Sequence, residues 1–356
     1  AQLKRLVSIH KHSAKNSFDK AKNPVLVYER KIKELVSKHA SAHDINPSDK
    51  MVFATLNIWN INEPWLERLE AITTHIKTLK PNVIAFQEIR IYNGTNQFDQ
   101  LKKKLPEYPY AISTPSSKDE HIATFSKWPI LKSKSQALPS TALKSDKNPR
   151  VCMATTFNVP SIGRLDVYHT HLSYNDLNQC ENVAAIIDFI STYSPKDAHI
   201  VLIGDMNTYF DFPWPMHLLT RPVDAVLHTY NPCQLLLKKR KSVSYEFNRF
   251  TDAWEQFVDN AGLTNTLDGA TFPNFFGSMD PTRADRIMFR SPSLVATHVH
   301  TFGSEAISYG DGKKTFPSDH LGVVATLVKK HTGGIESYFK WTIDFKKQFK
   351  KIKRPL

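Results

Sequence analysis

The sequence has 356 residues, of which 41% are hydrophobic and 23% are charged, an ordinary globular balance that excludes wholesale disorder. Its net charge is +13, but residues 1–50 hold 11 basic and 5 acidic residues and residues 340–356 hold 7 and 1, so nearly all of the excess lies in two flanks. No uncharged apolar run approaches the ~20 residues that cross a bilayer, which excludes a polytopic membrane protein.

The first predicted elements are a helix, a strand, a second helix and a second strand. Residues 1–50 form a lysine-rich extension with one predicted helix at about 25–39. Residues 51–58 are a short apolar run with β-branched residues, which predicts a buried strand. Pro64 stands at the start of a helical pattern. The apolar positions of that pattern are Leu66, Leu69, Ile72, Ile76 and Leu79. Residues 82–86 predict the next strand.

The same alternation recurs further along the chain. Residues 164–171 and 199–203 have strand patterns, and residues 178–193 between them have a helical pattern. Three more strands are predicted at 286–289, 294–301 and 321–328. Strands with interspersed helices predict a layered α/β domain over residues 51–330, followed by a basic tail over residues 331–356.

Polar side chains stand at the ends of most of these strands. They are Asn57, Glu88, His171, Asp205, Asn207, Asp285, Asp319 and His320. Each also has an ordinary interpretation as a turn residue, a solvated strand end or a structural histidine. Because loops at strand ends carry function, we expect the group to converge on one rim of a sheet.

The chemistry of this group is specialised. Its carboxylate and amide oxygens suit Mg²⁺ or Mn²⁺, and its imidazoles titrate near neutral pH. The sequence has no Cys/His cluster spaced for zinc, no glycine-rich phosphate loop and no G-x-S-x-G elbow. A hard cation with imidazole and carboxylate favours hydrolysis of phosphate esters.

Six segments, in order, resemble the endonuclease/exonuclease/phosphatase (deoxyribonuclease I-like) superfamily. They are TLNIWN (55–60), FQEI (86–89), THLS (170–173), GDMN (204–207), ADRIMF (284–289) and SDHLGV (318–323). The resemblance covers about residues 51–330, which it identifies as a catalytic domain of this type. The implied fold is a four-layered α/β sandwich, in which two packed, mostly antiparallel β-sheets are flanked by helices.

The resemblance implies a metal site and a catalytic group. Asn57, Glu88 and Asp319 match the metal-binding positions, and the expected cofactor is Mg²⁺, with Mn²⁺ or Ca²⁺ as alternatives. Asp205 matches the residue that activates water, and Asn207 and His171 match residues that hold the phosphate. His320 matches the catalytic histidine, and Asp285 matches the aspartate that fixes its tautomer.

Two further matches resemble the deoxyribonuclease branch. Glu120, which opens the strand HIATFSK, matches a catalytic acid paired with His171. Arg150, which opens VCMATTF, matches an arginine that contacts the phosphate. For Glu120, an exposed loop residue is an equal alternative.

The implied activity is divalent-metal-dependent hydrolysis of phosphate esters, with a DNase-like phosphodiesterase acting on nucleic acid as the leading prediction. A sphingomyelinase-like phospholipid phosphodiesterase and an inositol phosphatase are alternatives, because one fold serves many substrates. A catalytically silent module that binds anionic partners is an alternative of another class. The complete set of matching polar residues argues against the silent module.

The basic flanks suggest contacts outside the central domain. In the tail, aromatic and apolar residues share one helical face: Tyr338, Trp341, Phe345, Phe349 and Ile352. Lysines crowd the other faces, a pattern typical of peripheral contact with an anionic membrane. The alternative is a helix packed on its own domain. The basic runs at 102–104 and 238–241 are either phosphate contacts or solvated faces.

The sequence is compatible with more than one cellular compartment for this protein. Three cysteines, Cys152, Cys180 and Cys233, fit either a reducing compartment or a secreted domain with at most one disulfide. The sequence opens at Ala1 and contains the glycosylation acceptor Asn93-Gly94-Thr95. We therefore favour a secreted or lumenal location after removal of an N-terminal segment.

Overall fold

In the computed structural model of the chain, the residues described are 49–330 apart from 93, 142–145, 147, 210, 222–230, 234–248, 262–268 and 273–280. Four features singled out in the sequence lie outside the described residues: the helix at 25–39, the amphipathic tail at 331–356, Asn93 and the basic run at 238–241. Within the described part of the chain, no helix is long and apolar enough to cross a membrane.

Most of the described strands belong to two sheets. From edge to edge, the first sheet contains β12 (Leu294–Phe302), β15 (Gly322–Lys329), β1 (Lys50–Asn57), β2 (Val83–Tyr92), β5 (Glu120–Ser126) and β4 (Tyr110–Pro115), with β3 (Thr95–Asn96) beside β2. The second contains β10 (Thr251–Asp252), β11 (Asp285–Arg290), β9 (His199–Asp205), β8 (Gly163–His171), β7 (Arg150–Val159) and β6 (Lys132–Leu138). A separate hairpin joins β13 (Ile307–Tyr309) to β14 (Lys313–Thr315).

Each sheet combines one parallel pair with antiparallel neighbours among these strands. The parallel pairs are β1–β2 and β8–β9. A parallel connection needs a crossover, and a helix supplies it in both cases: α1 (Trp65–Leu79) follows β1, and α3 (Asp176–Tyr193) follows β8. The other described helices are α2 (Gln97–Lys104), α4 (Trp214–Thr220) and α5 (Ala253–Ala261).

The central strands of each sheet are buried on both faces, so the domain has four layers. Phe53 of β1 and Ile203 of β9 lie in the core between the sheets. On the outer face of the first sheet, Leu56 packs with Ile72 of α1. On the outer face of the second sheet, the strands pack against Ile186 of α3. The predicted α/β sandwich of two mostly antiparallel sheets flanked by helices is confirmed.

The helix predicted after Pro64 is present as α1, with Leu69, Ile72 and Ile76 buried as predicted, and it differs from the prediction only at its start. Trp65, not Leu66, faces the core at the start of α1, and the Leu66 side chain is 68% exposed. Several short elements had no clear sequence signal. The edge strand β6 (KSKSQAL) is mostly exposed and shows no apolar alternation, because an edge strand on the sandwich rim has little core to face.

One disulfide, Cys180–Cys233, is present in the described structure, and Cys152 is a buried free thiol. The disulfide joins α3 to the segment at 231–233. Of the two possibilities left open by the cysteine count, this arrangement matches the domain with one bridge.

Candidate active site

The polar rim is a cleft of about 140 Å³ formed where the carboxyl ends of the two parallel pairs approach each other. Asn57 ends β1, while His171 and Asp205 end β8 and β9. Eight of the ten predicted site residues line the cleft: Asn57, Glu88, Glu120, Arg150, His171, Asp205, Asn207 and His320. Asn148 and Tyr174 complete the lining. The other two predicted residues, Asp285 and Asp319, adjoin it through His320.

Asp205 lies at the centre of the cleft. Its Oδ2 accepts a hydrogen bond from Asn57 Nδ2 at 3.0 Å and lies 3.4 Å from His171 Nε2 and 3.8 Å from His320 Nε2. Burial opposes ionisation of this carboxyl, but His320 and His171 hold its pKa below the ordinary value. The carboxylate is therefore ionised and within reach of a molecule in the cleft.

The preceding glycine brings Asp205 into place. Gly204 has φ +140°, and a Cβ at this position would lie 1.9 Å from the Thr170 carbonyl oxygen on β8. Only glycine permits this close approach of β8 and β9. The first residue of the GDMN segment thus sets the distance between Asp205 and His171, which are register partners.

His320 and Asp285 form a buried pair. His320 Nδ1 lies 2.8 Å from Asp285 Oδ2, and the ring of Phe272 packs on the imidazole at 4.9 Å. Burial would lower the pKa of His320, but the carboxylates of Asp285 and Asp205 raise it well above its ordinary value. With Nδ1 held by Asp285, Nε2 points toward Asp205 and the cleft.

Glu88 reaches the cleft from an irregularity in β2. The register of β2 against β5 shifts between Phe86 and Ile89, and Glu88 has φ +61°. Such bulges redirect side chains and are common beside active sites. Asn57 Nδ2 and Asn60 Nδ2 donate to the two carboxylate oxygens at 3.1 and 3.2 Å.

The donor chemistry around Glu88 fits a hard divalent cation. Burial raises the pKa of Asp319 to about 6. The charges of Glu88 and Asp205 also raise this pKa, whereas His320 lowers it. Carboxylates that disfavour one another's ionisation are stabilised by a bound cation. Among the described residues, Asp205, Asp285 and His320 also have ligand atoms within 4.8 Å of one another. In that group, however, His320 Nδ1 already pairs with Asp285.

Asn57 is held by hydrogen bonds on both atoms of its amide. Its side-chain oxygen accepts a hydrogen bond from the backbone N–H of Trp59 at 3.0 Å, and its nitrogen faces Glu88 and Asp205. The amide oxygen keeps a second lone pair, so the metal role of Asn57 stays a prediction beside those of Glu88 and Asp319.

Arg150 forms the cationic wall of the cleft. The side chain is buried, with Nη2 3.4 Å from Asp146 Oδ2, and its Nε has no hydrogen-bond partner among the described residues. A buried guanidinium with an unused donor suits a phosphate oxygen. Burial and the charge of Arg150 also lower the pKa of His171 to about 4, so this histidine is neutral at neutral pH.

The predicted pairing of Glu120 with His171 is not formed. Glu120 lines the cleft, but its Oε2 lies 3.1 Å from Arg90 Nη2. His171 Nδ1 has no hydrogen-bond partner in the described part of the chain. Arg90 and Glu120 are directly opposite each other in the β2–β5 register, which explains the ion pair.

Asn207 is fixed beside Asp205 by its backbone. It has φ +49°, its N–H donates to Asp205 Oδ1 at 2.8 Å, and its carbonyl accepts from Gln179 Nε2 at 2.6 Å. The side-chain nitrogen donates to the Leu172 carbonyl at 3.0 Å. The amide is thus held at the cleft, and its contact with a phosphate stays a prediction.

Sequence reasoning missed Arg68, which supports the cleft from behind. This fully buried guanidinium donates to five backbone carbonyls, those of Ile58, Trp59, Asn60, Asn62 and Pro317. It therefore joins the loop after β1 to the segment that precedes Asp319. A charged residue beside the apolar stripe of a predicted helix was the available signal.

Comparison with known proteins gives one family. Residues 54–320 match the Endonuclease/Exonuclease/phosphatase family. No curated protein matches the sequence significantly.

Solved structures with the same fold have different activities. One is D. rerio TDP2 complexed with a single strand DNA product, with 16% identity over 78% of this chain and 98% of that chain and a TM-score of 0.56. Another is a mannosyl-6-phosphatase from Bacteroides thetaiotaomicron, with 18% identity over 78% and 99% and a TM-score of 0.55. A third is an endonuclease/exonuclease/phosphatase from Beutenbergia cavernae, with 20% identity over 79% of this chain and 72% of that chain and a TM-score of 0.55. At these identities the likeness establishes the fold.

Proposed function

The chain belongs to the endonuclease/exonuclease/phosphatase family, and from that premise we propose that it is a divalent-metal-dependent phosphodiesterase that cuts nucleic acid. Hydrolysis of phosphate esters is the activity of the family. The observation that carries the finer proposal is the arrangement around Asp205, whose carboxylate lies between His171 and His320 in a cleft walled by Arg150.

The residues of the cleft divide the reaction among them. Asp205 orients the attacking water and accepts its proton as the new bond to phosphorus forms. The ester bond then breaks, and the leaving oxygen departs as an alcohol with a proton from solvent water. His320, fixed by Asp285, donates a hydrogen bond from Nε2 to a phosphate oxygen. Neutral His171 stabilises the same group as charge develops.

Glu88 and Asp319 would hold the divalent cation, with Asn57 and Asn60 orienting the carboxylate of Glu88. The chemistry that bound Mg²⁺ supplies is withdrawal of charge from the phosphate and from the leaving oxygen. Arg150, which also lines the cleft, adds a fixed positive charge.

A nucleic-acid substrate is supported by the lining of the cleft. Nine of its ten lining residues are charged, amide or imidazole side chains, and Tyr174 is the tenth. A sugar-phosphate backbone is itself polar and charged, so this lining suits it. The fold neighbour TDP2 is described with a single strand DNA product, which is consistent with this choice.

A secreted or lumenal location remains part of the proposal. The disulfide between Cys180 and Cys233 supports it, because such bonds persist in oxidising compartments. The basic tail at 331–356, proposed for peripheral contact with an anionic membrane, lies outside the described residues.

A substrate panel tests the choice of ester. Purified protein with Mg²⁺ is offered single-stranded and duplex oligonucleotides, sphingomyelin vesicles, an inositol polyphosphate and mannose 6-phosphate. We expect cleavage of an oligonucleotide, abolished in Asp205→Asn. Release of phosphate from a monoester with no cleavage of any diester would contradict the proposal.

A further inference from the structure

Tyr174 is an exposed aromatic residue at the mouth of the cleft. It lies between β8 and α3, and 43% of its surface is exposed. It is also the one aromatic residue among those that line the described cleft. A large exposed ring beside a polar, phosphate-sized cleft has no evident part in the hydrolysis itself.

The backbone next to Tyr174 is fixed. The N–H of Ser173 donates to Asn182 Oδ1 at 2.9 Å, and the N–H of Asn175 donates to Ser173 Oγ at 3.0 Å. Ser173 Oγ in turn donates to Asp146 Oδ2 at 2.5 Å. Hydrogen bonds on either side of the tyrosine therefore hold its Cα in place before any ligand arrives.

The ring is also positioned relative to Arg150. The guanidinium carbon lies over the ring of Tyr174, 5.9 Å from its centroid, at a cation–π distance. Asp146 contacts both Ser173 and Arg150, so one carboxylate sets the spacing between the ring and the guanidinium. The phosphate-binding group and the exposed ring thus form one preorganised unit.

We propose that Tyr174 is a stacking platform for the nucleobase next to the scissile phosphate. This inference rests on the proposed function and names its substrate class more closely: nucleic acid with an unpaired base beside the cut. A base has a planar face of the size that a tyrosine ring offers, and it lies within one nucleotide of the phosphate that Arg150 contacts. Since duplex stacking hides that face, single-stranded DNA and locally unpaired segments of supercoiled duplex are preferred.

The test compares two single-stranded oligonucleotides that differ only in whether the nucleotides flanking the cleavable phosphate carry bases. The enzymes are the wild type, Tyr174→Ala and Tyr174→Phe, with Tyr110→Ala as a matched control. Tyr110 is 39% exposed and lies on the edge strand β4, outside the cleft lining. Thermal unfolding of each variant checks that the fold is intact.

We expect the wild type to favour the base-bearing oligonucleotide in kcat/KM by between about fivefold and 150-fold, the range of one base–aromatic stack. Tyr174→Ala should remove that preference, mainly through KM. Tyr174→Phe should keep it, because stacking needs the ring and not the hydroxyl. Tyr110→Ala should behave as the wild type.

Two results would overturn the stacking platform. One is equal cleavage of both oligonucleotides by the wild type, and the other is an equal loss on both in Tyr174→Ala. Cleavage would continue in either case, so the proposed function would stand. If the wild type cleaves neither oligonucleotide, its affinity for each is measured by fluorescence anisotropy of the labelled oligonucleotides. Equal affinity for both would overturn the stacking platform. Turnover of mannose 6-phosphate with loss in Tyr174→Ala would assign the ring to a sugar.

Discussion

At the scale of single residues, the carboxylate of Asp285 never reaches the cleft, yet it controls the histidine that does. Its Oδ2 holds His320 Nδ1, and its backbone N–H donates to Thr271 Oγ1 at 2.8 Å. Both contacts are buried, so the orientation of the imidazole is set by the fold before substrate binds. This separates the orientation of His320 from its chemistry, and the two can be tested independently.

Asp285→Asn is expected to lower kcat by about 10²-fold or more while changing KM little, because the amide keeps the shape but cannot stabilise a charged or correctly tautomeric imidazole. The measurement is steady-state cleavage of a short oligonucleotide. Asp197→Asn, a change at an exposed carboxylate, is the matched control and should leave both constants unaltered. A kcat within threefold of the wild type in Asp285→Asn would show that His320 needs no partner.

Most site residues were identified from the sequence because the motifs carry them together, but their contacts were not. Glu120 was expected beside His171, and the cross-strand register places it opposite Arg90 instead. Asn57 was expected to offer an oxygen to a metal, and that oxygen also accepts a hydrogen bond from the Trp59 N–H. Register and local hydrogen bonds depend on the folded backbone, so residue types in order do not determine them.

At the scale of elements, α1 supports the active site through one buried cation. Arg68 links five carbonyls from two segments, and burial lowers its pKa to about 10, which still leaves it charged. The guanidinium carbon lies 5.1 Å from the ring centroid of Trp59 and 5.3 Å from that of Trp65. Arg68 therefore ties the loop after β1 to the segment before Asp319.

Arg68→Ala is expected to lower the free energy of unfolding by about 3 kcal/mol or more, since several buried carbonyls would lose their donor. Urea denaturation followed by circular dichroism measures the change. Lys77→Ala, at an exposed position on the same helix, should change stability by no more than about 0.5 kcal/mol. Equal stability of the two variants would mean that water replaces the guanidinium.

The elements that the sequence revealed are those with two buried faces or a clear apolar stripe. Strands β1 and β9 and helix α3 lie in the middle of the layers, so their apolar patterns are strong. Strand β6 and helix α2 are polar, and their formation depends on neighbours that are distant in sequence. The approach of the two parallel pairs, which builds the cleft, likewise follows from packing rather than from any local pattern.

At the scale of the whole molecule, the Cys180–Cys233 disulfide closes a loop over a sequence separation of 53 residues. In the chain-entropy description, such a bond stabilises the fold by about 4 kcal/mol. We expect one reactive thiol per denatured, unreduced molecule, from Cys152, and three after reduction. Reduction should also lower the midpoint of thermal unfolding. Three thiols without reductant in freshly purified protein would contradict the bond.

The most direct test of a metal-dependent phosphodiesterase site at this cleft is nicking of supercoiled plasmid DNA in the presence of Mg²⁺. We predict relaxation by the wild type, none with excess EDTA, and a rate lower by about 10²-fold or more in Glu88→Ala. Glu107→Ala, at an exposed glutamate, should act as the wild type. Relaxation that persists at the wild-type rate in Glu88→Ala, or in EDTA, would contradict the assignment of the active site.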